Sequence, residues 1–504
     1  MTKASKIAVT LLDVGQGSGT FVEIYTGTAT PTATALLDLG SERAKDEAGG
    51  PSVDFIEKQL KSMAKPRIDF LSLSHSDSDH INLLQDLLSR FDKPGTKKPA
   101  KPILEIGTVI YGGPRDLYAK HGGTNVISDV EGYQPKGAKK PQPLPANNCS
   151  YSQPTPVFEI NDVSFNLLVG NHIRSQHTKR TKITDKEWKF DSYSLNTYSL
   201  IFVVVFNGWR YVVTGDATGA TISKANDYIA QYKATFANVA VMTMPHHSSE
   251  TTTFGLSGSK RPRSGKRVSD AAKKVIDTFA KSINGQSIHA SAEEVGSFRH
   301  PSAYTMSYFW EYVTKTGWYD DPELSDNQHL YNAYFVEDDG YIVVEEEEDP
   351  VTKKKNKKKV LFPTVDDWWT LASRYAIFTN RYYVRDQAYD PDKDQTATFP
   401  PDPGKTTAIP KSGAVTSLSL AVAWIYTTDA TTGTTSIARL ENRKTATAAF
   451  VTTPVMELTK DDAPAPAAVA VAPVRAAHPV RRRHMGPRPP AHRTPLRRMR
   501  QIDG

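Results

Sequence analysis

A single cysteine, Cys149, stands in 504 residues, so the chain can form neither an internal disulfide nor a cysteine-rich metal site. Long apolar runs are missing as well. The longest, Leu200 to Phe206 and Ser419 to Tyr426, are strand-sized and far short of the roughly 20 residues that span a bilayer. Met1 to Lys6 runs straight into a strand-like segment without the apolar core of a signal peptide. These absences lead to the expectation of a cytoplasmic protein with no membrane partner. Gly15, Gly17 and Gly19 do not make a dinucleotide fingerprint, because the spacing is wrong and a strand follows where a helix is required.

The chain has an apolar share of 38% and a charged share of 23%, which suit a globular protein. Its length exceeds one ordinary core, so two folded units and tails are expected. The net charge of +7 would invite a polyanion, but its location matters. Nine arginines face one aspartate from Ala463 to the end, about +8, which leaves the rest of the chain near −1. The body is nearly neutral and the basicity belongs to an Ala-, Pro- and Arg-rich tail expected to be disordered.

What the chain does have is Ser74-His75-Ser76-Asp77-Ser78-Asp79-His80, directly behind a short apolar strand containing Ile68, Phe70, Leu71 and Leu73. Alternating residues of an extended segment point one way, so His75, Asp77 and Asp79 can converge. Imidazole nitrogens and carboxylate oxygens together suit a divalent cation of borderline hardness. A serine-rich turn with an aspartate capping the next helix would explain the cluster blandly. Two later strands weigh against that. Arg210 to Val213 ends in Thr214-Gly215-Asp216, and Val239 to Met244 ends in Pro245-His246-His247-Ser248. In layered α/β proteins ligands gather where several strands end. His172 and His177 lie in a polar stretch, where a loop histidine is more often just solvated.

Helical spacing of apolar residues predicts helices over Val53 to Ala64, His80 to Phe91 and Ser269 to Lys281. Val157 to Ile160 and Val163 to Val169 read as a hairpin turning at Asn161-Asp162. Beyond Thr316 the texture changes. Glu345 to Glu348 and Lys353 to Lys359 lie between two short apolar strands as a solvated hairpin, and Ala414 to Tyr426 and Ser436 to Leu440 look like strands. The expected organisation is a first domain over 1–315, a β-rich C-terminal region over 316–461, and a disordered tail over 462–504.

Taken jointly, these motifs resemble the metallo-β-lactamase fold, and more narrowly the soluble hydrolase domain of bacterial competence DNA-uptake channel proteins (ComEC-like) and its free-standing relatives. The segments that carry the resemblance are Asp13-Val14-Gly15-Gln16-Gly17, Ser74 to His80, Asn196 to Leu200, Thr214-Gly215-Asp216, His246-His247 and, in part, His300-Pro301-Ser302. It covers roughly residues 5 to 310. Three positions depart from the pattern: Asn82-Leu83 for a glycine pair, Ser18 for an acidic residue, and Ser248-Ser249 after the two histidines.

The resemblance implies an α/β protein with a four-layer αββα sandwich and a metal site at one sheet edge. His75 and Asp77 would serve one metal, Asp79 and His80 another, and Asp216 would bridge them. His246 or His247 would close the second site. Asp77, where histidine is usual, favours manganese or a zinc–manganese mixture as the two divalent ions. Such a pair activates a water and holds the attacked phosphoryl group. Asp79, His247 and His300 are the candidates for direct catalytic roles, with His300 or the spare histidine of the pair protonating the leaving oxygen. The expected activity is a phosphodiesterase or nuclease acting on DNA or RNA. The alternatives are hydrolysis of a small ester, thioester or lactam, and a non-enzymatic metal-binding module.

Overall fold

The structure is a computed structural model. It describes residues 2–42, 49–92, 103–119, 125–145, 148–151, 156–172, 181–184, 187–189, 195–255, 268–291, 305, 308–309, 312–313, 329–331, 342–348, 355–361, 377–379, 383–385, 421–443 and 449–460.

The chain opens with β1 (Lys6–Leu12), β2 (Gly17–Tyr25) and β3 (Ala33–Ser41), an antiparallel meander. β4 (Arg67–Leu73), β5 (Glu105–Tyr111) and β6 (Gln142–Pro143) then add in parallel. Helices α1 (Gly49–Ser62), α2 (Ser78–Ser89) and α3 (Val126–Glu131) lie in the crossovers. The second sheet holds β7 (Phe158–Ile160), β8 (Val163–Val169), β9 (Ile201–Phe206), β10 (Trp209–Val213), β11 (Val239–Thr243), β12 (Ile288–Ala290) and β13 (Ile377–Thr379), in the order β13-β12-β11-β10-β9-β8-β7. Its helices are α4 (Gly219–Tyr232) and α5 (Asp270–Ile283). Thr218 caps the first, accepting from the Thr221 amide, and Ser269 caps the second, accepting from Ala272.

Side-chain alternation assigns the layers. Ile7, Val9 and Leu11 of β1, with Val22 and Ile24 of β2, pack toward β8 to β12 and share one core with Ile222 and Ala225 of α4 and Ile276 and Phe279 of α5. The opposite face of the first sheet, through Phe21, Leu36 and Leu39, buries Phe55, Ile56 and Leu60 of α1 and Ile81, Leu84 and Leu87 of α2. β9 is apolar at every position because it is covered on both faces. The result is the four-layer αββα sandwich that the resemblance implies.

The hairpin expected around the Glu and Lys blocks is present as Ile342–Glu348 paired with Lys355–Leu361, with Glu345 opposite Lys358. The last strands differ from a self-contained β-rich region. β14 (Ala421–Asp429), β15 (Thr435–Arg443) and β16 (Ala449–Leu458) extend the first sheet, β14 pairing antiparallel with β1. Residues 1–463 accordingly form one compact unit. The reason is physical: β1 is buried to its core-facing side and would otherwise present an open row of backbone groups.

Polar contacts fasten these strands to the second sheet. The Tyr211 hydroxyl meets Thr428 Oγ1, which lies 2.5 Å from Thr435 Oγ1. Tyr426 meets Ser287 Oγ at 3.0 Å, and the Trp209 indole donates to the Gly433 carbonyl at 2.9 Å. Truncation after residue 420 is therefore expected to abolish cooperative folding, whereas removal of residues 464–504 leaves the melting temperature unchanged. Thermal unfolding of the two truncated proteins beside the full chain checks both.

Candidate metal centre

Four strand ends deliver the site. β4 delivers Ser74 and His75, β10 delivers Asp216, β11 delivers the His246-His247 pair, and β12 delivers Ser291. Extended alternation holds only as far as Asp77. Helix α2 starts at Ser78, so Asp79 and His80 project from its first turn and not from a continuing strand. Asp77 sits at the N-cap position but makes no capping hydrogen bond, which removes the bland explanation of its carboxylate.

Two adjacent histidines on a strand would point to opposite faces. Here His246 (φ 45°, ψ 55°) and His247 (φ 53°, ψ 25°) are left-handed, followed by Ser248 at φ 64°. Each such residue costs about 1–2 kcal/mol, and the turn aims both Nε2 atoms at one carboxylate. The His246 amide secures it by donating to the Gly215 carbonyl at 3.0 Å. Strain of this kind collects at functional sites.

Asp216 is the hub. Its Oδ1 lies 2.9 Å from His80 Nε2 and 3.2 Å from His247 Nε2, while its Oδ2 lies 3.4 Å from His246 Nε2 and 3.8 Å from His75 Nε2. Asp79 Oδ2 is 3.3 Å from His247 Nε2, and Asp77 Oδ2 is 3.5 Å from His75 Nε2. One oxygen thus faces His80 and His247, with Asp79 beside His247, and the other faces His75 and His246, with Asp77 beside His75. The donor atoms of Asp79, His80, Asp216 and His247 all lie within 4.8 Å of one another, a two-nitrogen, two-oxygen set that could hold a divalent ion.

Hydrogen bonds fix the ring orientations. His80 Nδ1 donates to Asp38 Oδ2 at 2.9 Å, and His247 Nδ1 donates to the Ser291 carbonyl at 2.7 Å. Each leaves Nε2 turned toward Asp216, the ring orientation in which a histidine serves as a ligand once a cation displaces the Nε2 proton. His75 Nδ1 lies 3.0 Å from Ser74 Oγ and 3.3 Å from Ser199 Oγ. His80 Nε2 and Asp216 Oδ1 are fully buried and close, yet without the geometry of a hydrogen bond to any partner. Buried polar atoms in that state are costly unless something binds them, so the residues fit a cation.

Charge and burial compete here. Burial alone would push the Asp216 carboxyl up, but the imidazoles of His246, His247 and His80 hold it well below the usual carboxylate range. For Asp79 burial is likewise overcome by the His247 hydrogen bond and the charges of His80 and His247, bringing it down to about 2. Burial opposes the charged form of His80 and His247, yet Asp216 with Asp38 raises the first, and Asp216 with Asp79 raises the second. Burial dominates at His246 and lowers it.

Glycine permits the close approach of the layers at two points. A Cβ on Gly40 would stand 2.5 Å from the Asp79 carbonyl carbon and the His80 nitrogen, and Gly215 adopts φ 49° just before Asp216.

Of the residues singled out from sequence, His75, Asp77, Asp79, His80, Asp216, His246 and His247 come together. His172 instead lines a separate cavity. His177 and His300 lie outside the described residues. Asp38, Ser74, Ser199 and Ser291 support the site without being marked as supports by any sequence motif. Asp38 left a trace, a carboxylate inside the otherwise apolar Leu36-Leu37-Asp38-Leu39, held at φ 56° with Oδ1 accepting from the Ser74 amide at 2.6 Å. Asp38→Asn places an amide against His80 Nδ1 and is expected to weaken divalent-metal affinity about 10–100-fold with little loss of secondary structure. Equilibrium metal titration beside circular dichroism checks this.

No protein-family model matches the chain, and no curated protein matches it. Among solved structures the chain is similar to a mutant of the β-hydroxylase CmlA, at 12% identity and TM-score 0.28 over 58% of this chain and 46% of that one. It therefore spans about half the length of that structure. It is also similar to a diphosphatase of the PhnP family, at 12% identity and TM-score 0.25 over 56% of this chain and 85% of that one. Unliganded yeast PDE1 matches at 10% identity and TM-score 0.32 over 61% of this chain and 92% of that one. Likenesses of this size say nothing of the activity of this chain.

Proposed function

We propose that the protein is a metal-dependent hydrolase that cleaves phosphodiesters, with DNA or RNA as substrate. The observation that carries this is the division of labour at Asp216, whose two oxygens face two separate groups of donors. Asp79, His80, His247 and Asp216 Oδ1 would hold one divalent ion, and His75, Asp77, His246 and Asp216 Oδ2 a second, zinc or manganese in either case. Carboxylate-rich pairs of this kind supply a nucleophile at neutral pH and neutralise charge on a transferring phosphoryl group.

The chain's own part is arrangement. Burial of His75, His80 and Asp216 keeps water from competing for their donor atoms. Asp38 and the Ser291 carbonyl hold protons on Nδ1 of His80 and His247, so that Nε2 is the nitrogen each ring would offer to a cation. Asp77 and Asp79 are the partly exposed acidic members, with side chains 26% and 14% accessible, and they border the approach of a phosphodiester. His300, from its His-Pro-Ser motif, is proposed as the proton donor to the leaving oxygen.

Purified protein loaded with Mn²⁺ is expected to cleave single- or double-stranded nucleic acid. Chelation is expected to abolish cleavage, and Asp79→Ala to reduce it at least about 100-fold, as loss of a ligand that positions the reacting groups would. A metal-loaded native protein that leaves every DNA and RNA intact contradicts the proposal.

A further inference from the structure

A cavity of about 370 Å³ lies between the first turns of α4, the segment Thr253 to Gly255 and α5. Its walls combine two chemistries. Phe254, Ala272 and Val275 supply an apolar side, and His172, Ser223, Lys224 and Asp227 supply a polar one. The volume falls within the roughly 300–1,000 Å³ of small-molecule sites. None of the metal-type residues of the centre lines it.

The cavity adjoins the centre by a chain of contacts. His246 is the most exposed of the four imidazoles, at 17% against 3% or less for the others. Its ring lies 3.4 Å from Asn196 Nδ2. The next carbonyl, of Thr197, accepts from Thr221 Oγ1 at 3.5 Å in the first turn of α4, whose Gly219, Ala220 and Ser223 border the cavity. Gly219 stands three residues after Asp216, at most about 10 Å along the chain. That is the reach of about three stacked nucleotides at 3.4 Å each.

We propose that this cavity binds a nucleotide unit flanking the scissile phosphodiester. This deepens the hydrolase proposal and rests on it for the identity of the substrate. Lys224 is the phosphate contact. Its ammonium is held 4.5 Å over the Tyr228 ring and only loosely by Asp227 at 3.8 Å, so it can turn to a stronger anion. Phe254, Ala272 and Val275 form the face for a base. Asp227, two-thirds exposed on the rim, accepts from a sugar hydroxyl or a base N–H. Its negative charge disfavours a bare polyphosphate and favours a unit that carries donors as well as phosphate.

The test uses the full-length native protein, Lys224→Glu, and Ser223→Trp to fill the space, each verified for melting temperature and metal content. Calorimetry with adenosine 5′-monophosphate reads the cavity without turnover. Kinetics compare an oligonucleotide with bis(4-nitrophenyl) phosphate, which is too short to bridge from the centre. Both substitutions are expected to weaken mononucleotide binding and to raise the oligonucleotide KM relative to that of the small diester about tenfold, the equivalent of one lost charged contact. Native protein that does not bind the mononucleotide, or variants that bind it as the native chain does, overturns the cavity proposal. Should the native chain bind the mononucleotide, lose it on substitution, and cleave neither substrate, the cavity stands and the hydrolase proposal fails.

Discussion

The buried carboxylate of Asp216, surrounded by the Nε2 atoms of His75, His80, His246 and His247, is the interaction on which the remaining structure depends. Several bases around one acid at almost no solvent exposure would be unfavourable as a neutral or unpaired set. They become favourable as a charge-compensated cluster, which is why, against the opposing effect of burial, neighbouring charge pulls the acids down and two of the imidazoles up. A cation would satisfy the same atoms, including the buried His80 Nε2 and Asp216 Oδ1. The left-handed turn at His246 to Ser248, the positive φ of Asp38 and the close backbone approach at Gly40 are local costs borne to assemble it.

Both sheets contribute, and neither alone makes the site. The first sheet supplies Asp38 and the Ser74 to His80 segment, and the second supplies Asp216, the histidine pair and Ser291. Ser291 joins them, since its carbonyl accepts from His247 while its hydroxyl donates to the Gly17 carbonyl in the first sheet at 2.5 Å. The C-terminal strands belong to the same frame. By pairing with β1 and bonding to Tyr211 and Ser287 they tie the two sheets together.

Much of this was legible in the sequence, and for identifiable reasons. The strand-then-ligand pattern behind Leu73, Val213 and Thr243 is local, and period-two and period-3.6 apolar spacing places α1, α2, α5 and most strands correctly. Whatever depends on contacts distant in sequence was hidden. That β14 lies beside β1 joins residues more than 400 apart, and nothing in either strand names its partner. The helical first turn at Asp79 was masked by serines that read as extended. The choice between His246 and His247 was open because only backbone dihedrals settle where two adjacent rings point. Asp38 was visible as a charge in an apolar strand, but its partner His80 lies 42 positions away.

Metal analysis of the full-length protein, after equilibration with excess Mn²⁺ or Zn²⁺ and removal of unbound ion, tests the central claim most directly. Two donor groups on opposite oxygens of Asp216 predict two tightly held divalent ions per chain, with Asp216→Ala losing both. A saturated native protein that retains no ion, or no more than one, contradicts the claim.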